Sequence, residues 1–124
     1  MTDSDLDLSA ADLSETSAAE RASLLTIDVS VVGNVAVIYV QGEIDQFTVP
    51  LLRDALTSAT TAHPVVAVDM SAVDFIDSSG LGALIGAYKQ ADERSGTVRV
   101  RKPSDEVRRL LRITGQTDRF LEES

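Results

Sequence analysis

The sequence predicts a single α/β domain. It has a mixed β-sheet opened by an N-terminal hairpin, continued through βαβ crossovers and flanked by helices. Three observations predict this class. Two Val-rich runs flank Gly33-Asn34, which reads as a tight hairpin. A short, continuously apolar run, Val65-Val66-Ala67-Val68, reads as a strand covered on both faces. Apolar residues at spacings of three and four alternate with these runs, giving the order β-β-α-β-α-β-α.

The elements follow in chain order. From Leu24 the pattern is extended, with Val29 and Val31, then Val35, Val37 and Tyr39, alternating around the Gly33 turn. Gly42-Glu43-Ile44-Asp45 ends the second strand. A helix begins near Asp45 to Thr48, with Pro50 in its first turn, where a missing N–H matters least. Its inward stripe is Leu51, Leu52, Ala55, Leu56 and Ala59. His63-Pro64 breaks the pattern before a third strand from Val65 to Met70 and a short turn. The next helix runs from Leu81 to Glu93, with Leu81, Leu84, Ile85 and Tyr88 inward and Gly82, Ala83, Gly86 and Ala87 outward. Ser95-Gly96 ends it, and Thr97 to Arg101 alternates as a fourth strand. Pro103-Ser104-Asp105 starts a last helix that places Val107, Leu110 and Leu111 inward and stops at Gly115. Phe120 and Leu121 then tuck back against the core.

Composition narrows the function classes. Of the 124 residues, 44% are hydrophobic and only 4% aromatic, so the core is built from Val, Leu, Ile and Ala. There is no Cys and a single His, which excludes thiol chemistry, disulfides and Cys- or His-rich metal sites. The longest apolar run, Val35 to Val40, is far too short to span a membrane. Acids stand where a secretory signal would carry bases, so the reading is a cytoplasmic protein. The net charge of −9 is uneven. Asp3, Asp5, Asp7, Asp12, Glu15 and Glu20 precede the first base, Arg21. Residues 1–22 are therefore expected to be an acidic, mobile extension that buries too little to offset its ordering entropy, and residues 23–124 the folded domain.

The informative residues are Asp77-Ser78-Ser79-Gly80, between the third strand and its following helix. Free N–H groups and the positive dipole end at a helix start favour an anion. Two readings of Ser78 stand: a helix N-cap, for which Asp and Ser are preferred, and a hydroxyl that carries a phosphate. Asp45 likewise reads as a cap of the first helix or as a contact residue.

The pair of motifs, Gly42-Glu43-Ile44-Asp45 after strand two and Asp-Ser-Ser-Gly-Leu-Gly (77–82) after strand three, resembles the STAS family, specifically its bacterial anti-sigma-factor antagonists. The resemblance runs from about Leu25 to Phe120. It implies a non-catalytic regulator that binds an anti-sigma factor with serine kinase activity and thereby releases a sigma factor. It also implies that the kinase phosphorylates the first serine of the pair, Ser78, ejecting the antagonist, and that a phosphatase restores it. Asp45 falls at the acid closing the earlier motif, in the kinase-binding neighbourhood. The candidate partner surface comprises Asp45, Asp77, Ser78, Ser79 and Gly80, extended by Gly82, Ala83 and Gly86 if the small-residue face of the helix docks a partner. The alternative within the same family is a scaffold or sensor component whose assembly responds to Ser78 phosphorylation. The acidic extension is longer than the usual lead-in of such domains, and many of them continue beyond the position of Ser124 into a further helix.

Glycine in a helix interior costs about 0.8–1.0 kcal/mol relative to alanine, so Gly82 and Gly86 need a reason. A flat docking face and close packing within the domain are both open. Ser79 reads as a turn hydroxyl. A hydrolase reading of Ser78 lacks a base, because His63 enters strand three at the end opposite Ser78, and no Gly-x-Ser-x-Gly elbow surrounds the serine. Gly80-Leu81-Gly82 fails as a dinucleotide fingerprint, since Ile85 stands where the third glycine is needed. No cofactor is implied. Arg99, Arg101, Lys102, Arg108, Arg109 and Arg112 make the C-terminal third basic. A solvated face with nearby Asp105 and Glu106 is preferred to a nucleic-acid patch, because stacking aromatics are scarce.

Overall fold

Gly33, at φ 64°, reverses the chain in two residues and closes an antiparallel pair at Val32 and Val35. Positive φ at the first central residue gives a turn whose twist matches the strands it joins. The strands are β1 (Leu25–Val32) and β2 (Val35–Ile44). A computed structural model describes residues 24–121. The acidic extension, 1–22, lies outside the described residues.

Helix α1 (Val49–Ala62) follows, with Thr48 as its N-cap residue and Pro50 in the first turn. Its inward stripe is narrower than the spacing predicts. Leu52, Leu56 and Ala59 are buried and Ala55 is half-buried, but Leu51 is 45% exposed.

Strand β3 (Val65–Ile76) pairs in parallel with β2 from Val35–Val65 to Ile44–Ile76. It corrects the expectation of a strand ending at Met70 before a turn. Asp69, Ser71 and Asp74 break the apolar run, yet the strand continues through them. Two register shifts insert extra residues on β3, between Tyr39 and Gln41 of β2 and between Gly42 and Glu43. The Asp69 carboxylate accepts from the Ser71 N–H and hydroxyl at 3.1 and 2.8 Å, satisfying the first irregularity locally.

Helix α2 (Ser78–Glu93) leads to β4 (Thr97–Arg101), which pairs in parallel with β3 and completes the sheet order β1-β2-β3-β4. Helix α3 (Asp105–Ile113) is capped by the Ser104 hydroxyl, which accepts from the Val107 N–H, and Gly115 at φ 74° follows its end. A short α4 (Thr117–Phe120) was not foreseen. Phe120 is fully buried against the edge of the Tyr88 ring, and Leu121 bridges to Val100 beside β4.

One face of the sheet carries the core. Ala36, Ile38, Val40, Val66, Val68, Met70, Val98 and Val100 join Leu52, Leu56, Leu81, Leu84, Val107 and Leu111 of the helices in one cluster. Alternation sends Tyr39, Ala67, Asp69, Arg99 and Arg101 to the other face. Among the described residues, no helix is long and apolar enough to cross a membrane.

Candidate functional site

The two motifs meet where β2 and β3 end. Ile44 pairs with Ile76, and the next N–H along β3, that of Asp77, donates to the Ile44 carbonyl at 3.2 Å. Each strand then turns into a helix on the core side.

At the β2 end, Asp45 is buried and works on its own turn. Its carboxylate accepts from the N–H groups of Phe47 and Thr48 at 2.9 and 3.1 Å. The Asp45 N–H donates to the Thr48 hydroxyl at 2.9 Å, and that hydroxyl donates to the Glu43 carbonyl at 2.8 Å. The cap position of α1 thus belongs to Thr48, not to Asp45. With Asp45 only 7% exposed, the surface at this turn is formed by Gln46 and Phe47.

At the β3 end, the cap and the exposed hydroxyl are different residues. Asp77 has extended backbone angles and is the N-cap, its carboxylate accepting from the Ser79 N–H at 2.9 Å. The Ser79 hydroxyl donates to the same oxygen. Ser79 is thereby tied down and half-buried, as its reading as a turn hydroxyl requires. Ser78 is exposed at the first helical position, and no hydrogen bond holds its hydroxyl among the described residues. A group transferred to Ser78 would face solvent beside the first-turn N–H groups.

Gly80 is explained by the domain itself. A Cβ there would lie 2.7 Å from Ile44 Cγ2 and 2.8 Å from Ile76 Cγ1. Its absence lets α2 start directly over the strand ends, and Gly80 is buried where a contact residue was expected. Ala83 and Ala87 also correct the sequence reading. Both are buried, because α2 packs against α1 as well as the sheet and so needs a wider apolar face. Gly82 and Gly86 are exposed, and a Cβ on either would meet nothing within 4 Å. Packing within the described domain therefore does not require these two glycines. They line a groove of about 180 Å³ between α1 and α2, together with Arg53, Thr57 and Gln90.

Sequence reasoning missed the apolar rim. Phe47, Leu51 and Phe75 are 45%, 45% and 48% exposed around these turns. The spacing of Leu51 predicts an inward side chain, and the helix instead presents it to solvent. Phe75 carried a usable signal, since it precedes buried Ile76 on an alternating strand.

His63 lies just before β3 and Ser78 just after it. A strand of 12 residues separates them, roughly 40 Å at 3.3 Å per residue. A hydrolytic pair cannot form across that distance.

The family model for the STAS domain matches residues 26–123. The chain belongs to the STAS domain family. Its STAS domain is 37% identical over 82 residues to the anti-sigma-B factor antagonist of Listeria monocytogenes, covering 65% of this chain and 72% of that protein. It is 32% identical to a crystallised anti-sigma factor antagonist from Mycobacterium paratuberculosis, with a TM-score of 0.70 over 81% of this chain and 86% of the other. The same fold occurs in the anti-sigma factor antagonist SpoIIAA at 22% identity. Its unphosphorylated form gives a TM-score of 0.69 over 80% of this chain and 89% of that one. The phosphorylated form gives 0.65, over 80% and 92%.

Proposed function

We propose that this STAS domain is an anti-sigma-factor antagonist of the bacterial cytoplasm, switched at Ser78. With Ser78 unmodified, it binds an anti-sigma factor that has serine kinase activity, and a sigma factor is released. The kinase moves the γ-phosphoryl group of ATP to the Ser78 oxygen, ADP leaves, and the antagonist is ejected until a phosphatase removes the group. The carrying observation is that Ser78 is the exposed, untethered hydroxyl of its motif, while Asp77 and Ser79 hold the cap. The relatives named as antagonists support the class of partner.

Magnitudes agree with a switch that needs no large rearrangement. Phosphate adds about −1.5 to −2 charges and three acceptor oxygens. A helix N-terminus stabilises such a group by about 0.3–1 kcal/mol. A partner packed on the same turn meets this charge beside Asp77, and like-charge juxtaposition costs several kcal/mol. About 2.8 kcal/mol weakens a complex 100-fold.

The test is incubation with candidate anti-sigma kinases and ATP, followed by phosphosite mapping and binding measurements. Ser78→Ala should bind and resist release, and Ser78→Asp should bind weakly. If no kinase modifies Ser78 and both variants bind alike, the proposal is wrong.

A further inference from the structure

A trough of about 680 Å³ runs along β3 and β4 at the edge of the sheet and reaches α3 at Arg108. Its lining includes Arg99, Arg101, Lys102 and Arg108 beside apolar Ala67, Val100 and Leu121, and no acid among the described residues. Asp69, at its margin, shares Arg101 at 3.8 Å. We infer that this trough is the docking surface for the chain's own acidic N-terminal segment, residues 1–23.

Charge, reach and point of departure carry the inference. Six acids precede the first base of the chain, opposite four cations in the trough. Asp5-Leu6-Asp7-Leu8 alternates charge with leucine, matching a surface of cations beside apolar side chains. β1 begins, with the Leu24 carbonyl accepting from the Glu43 N–H at 3.3 Å, at the same end of the sheet at which β4 delivers Arg101 and Lys102. From β1 to β4 is three strand spacings, about 14 Å. The chain between Asp12 and Leu24 can span roughly 40 Å when extended, so most of the acids reach the trough. A tethered partner also acts at a high effective concentration, which lets weak contacts suffice.

The chain has no cysteine, so Ser4→Cys gives a single site for a nitroxide label in the full-length protein. At low salt, amides of Ala67 and of Thr97 to Lys102 should broaden severalfold more than those of Thr57 and Gln90 on the outer side of the helices. The contrast should vanish at about 1 M salt, where the screening length is roughly 3 Å. It should also vanish in Lys102→Glu/Arg108→Glu and in Asp3→Asn/Asp5→Asn/Asp7→Asn, which remove charge from the two partners of the contact. Equal broadening on both faces overturns the inference. So does broadening transferred from a labelled chain to a separate isotope-enriched chain, which would make a second copy the occupant. An oligonucleotide that perturbs the trough while the label does not would also overturn it, in favour of nucleic acid.

Discussion

Gly82 lies one helical turn beyond Ser78 on α2, is exposed as Ser78 is, and leaves open space where a side chain would begin. Gly86 repeats the relationship one turn further on. A run from the proposed phosphoacceptor along a helix face where two glycines carry no side chain suits a partner backbone lying close to it. Gly82→Ala and Gly86→Ala should therefore each stabilise the domain, by up to about 1 kcal/mol, since alanine is the better helix former. Both should weaken the anti-sigma complex. Chemical denaturation and calorimetric titration on the same variants check this. A variant that is both more stable and fully binding would show that the glycines serve no docking face.

Gly80→Ala should have the opposite sign on stability. Its Cβ would press on Ile44 and Ile76, both buried and closely packed. Overpacking of this kind costs about 1–3 kcal/mol. Two glycines within a single turn of helix thus respond oppositely to the same substitution, and denaturation midpoints of Gly80→Ala and Gly82→Ala measured side by side display it.

Those glycines also mark where the sequence was readable. The hairpin, the three main helices and the parallel strands follow from local periodicity, turn chemistry and the His63-Pro64 break. The extension of β3 to Ile76 does not, because bulges opposite Tyr39 to Glu43 are a property of strand pairing, invisible along one chain. Ala83 and Ala87 look outward if α2 is imagined on the sheet alone, and become buried only when α1 lies beside it. The motif pair pointed to the two turns that the parallel pairing of β2 and β3 brings side by side. The division of labour among Asp77, Ser78 and Ser79 needed three-dimensional hydrogen bonding, since all three residue types serve equally well as caps on paper.

Phe75, three residues before Ser78, and Leu51, in the first turn of α1, expose large apolar area. Aromatic anchors near an interface centre commonly contribute 2 kcal/mol or more when truncated. Phe75→Ala should therefore weaken anti-sigma binding by about 10- to 100-fold, with little loss of thermal stability. Leu51→Ala should act in the same direction and less strongly. Surface plasmon resonance with melting curves separates the two effects. A large drop in melting temperature with unchanged binding would assign Phe75 to the fold instead.

Asp77 combines two roles that substitution can separate. As the N-cap it accepts from the Ser79 N–H and hydroxyl, and as a carboxylate it supplies negative charge beside Ser78. Asparagine caps about as well as aspartate, whereas alanine loses about 0.5–2 kcal/mol at such a position. Asp77→Asn should therefore keep nearly all of the stability, and Asp77→Ala should lose about 1 kcal/mol. The charge role appears only in the complex. With one negative charge removed, phosphorylated Asp77→Asn should be ejected less completely than the phosphorylated parent, while the unphosphorylated forms bind alike. Affinities of all four states, measured at low and high salt, decide the matter. If phosphate weakens binding equally in both backgrounds, repulsion arises from the partner's own acids or from steric exclusion at Ser78, and Asp77 is a cap alone.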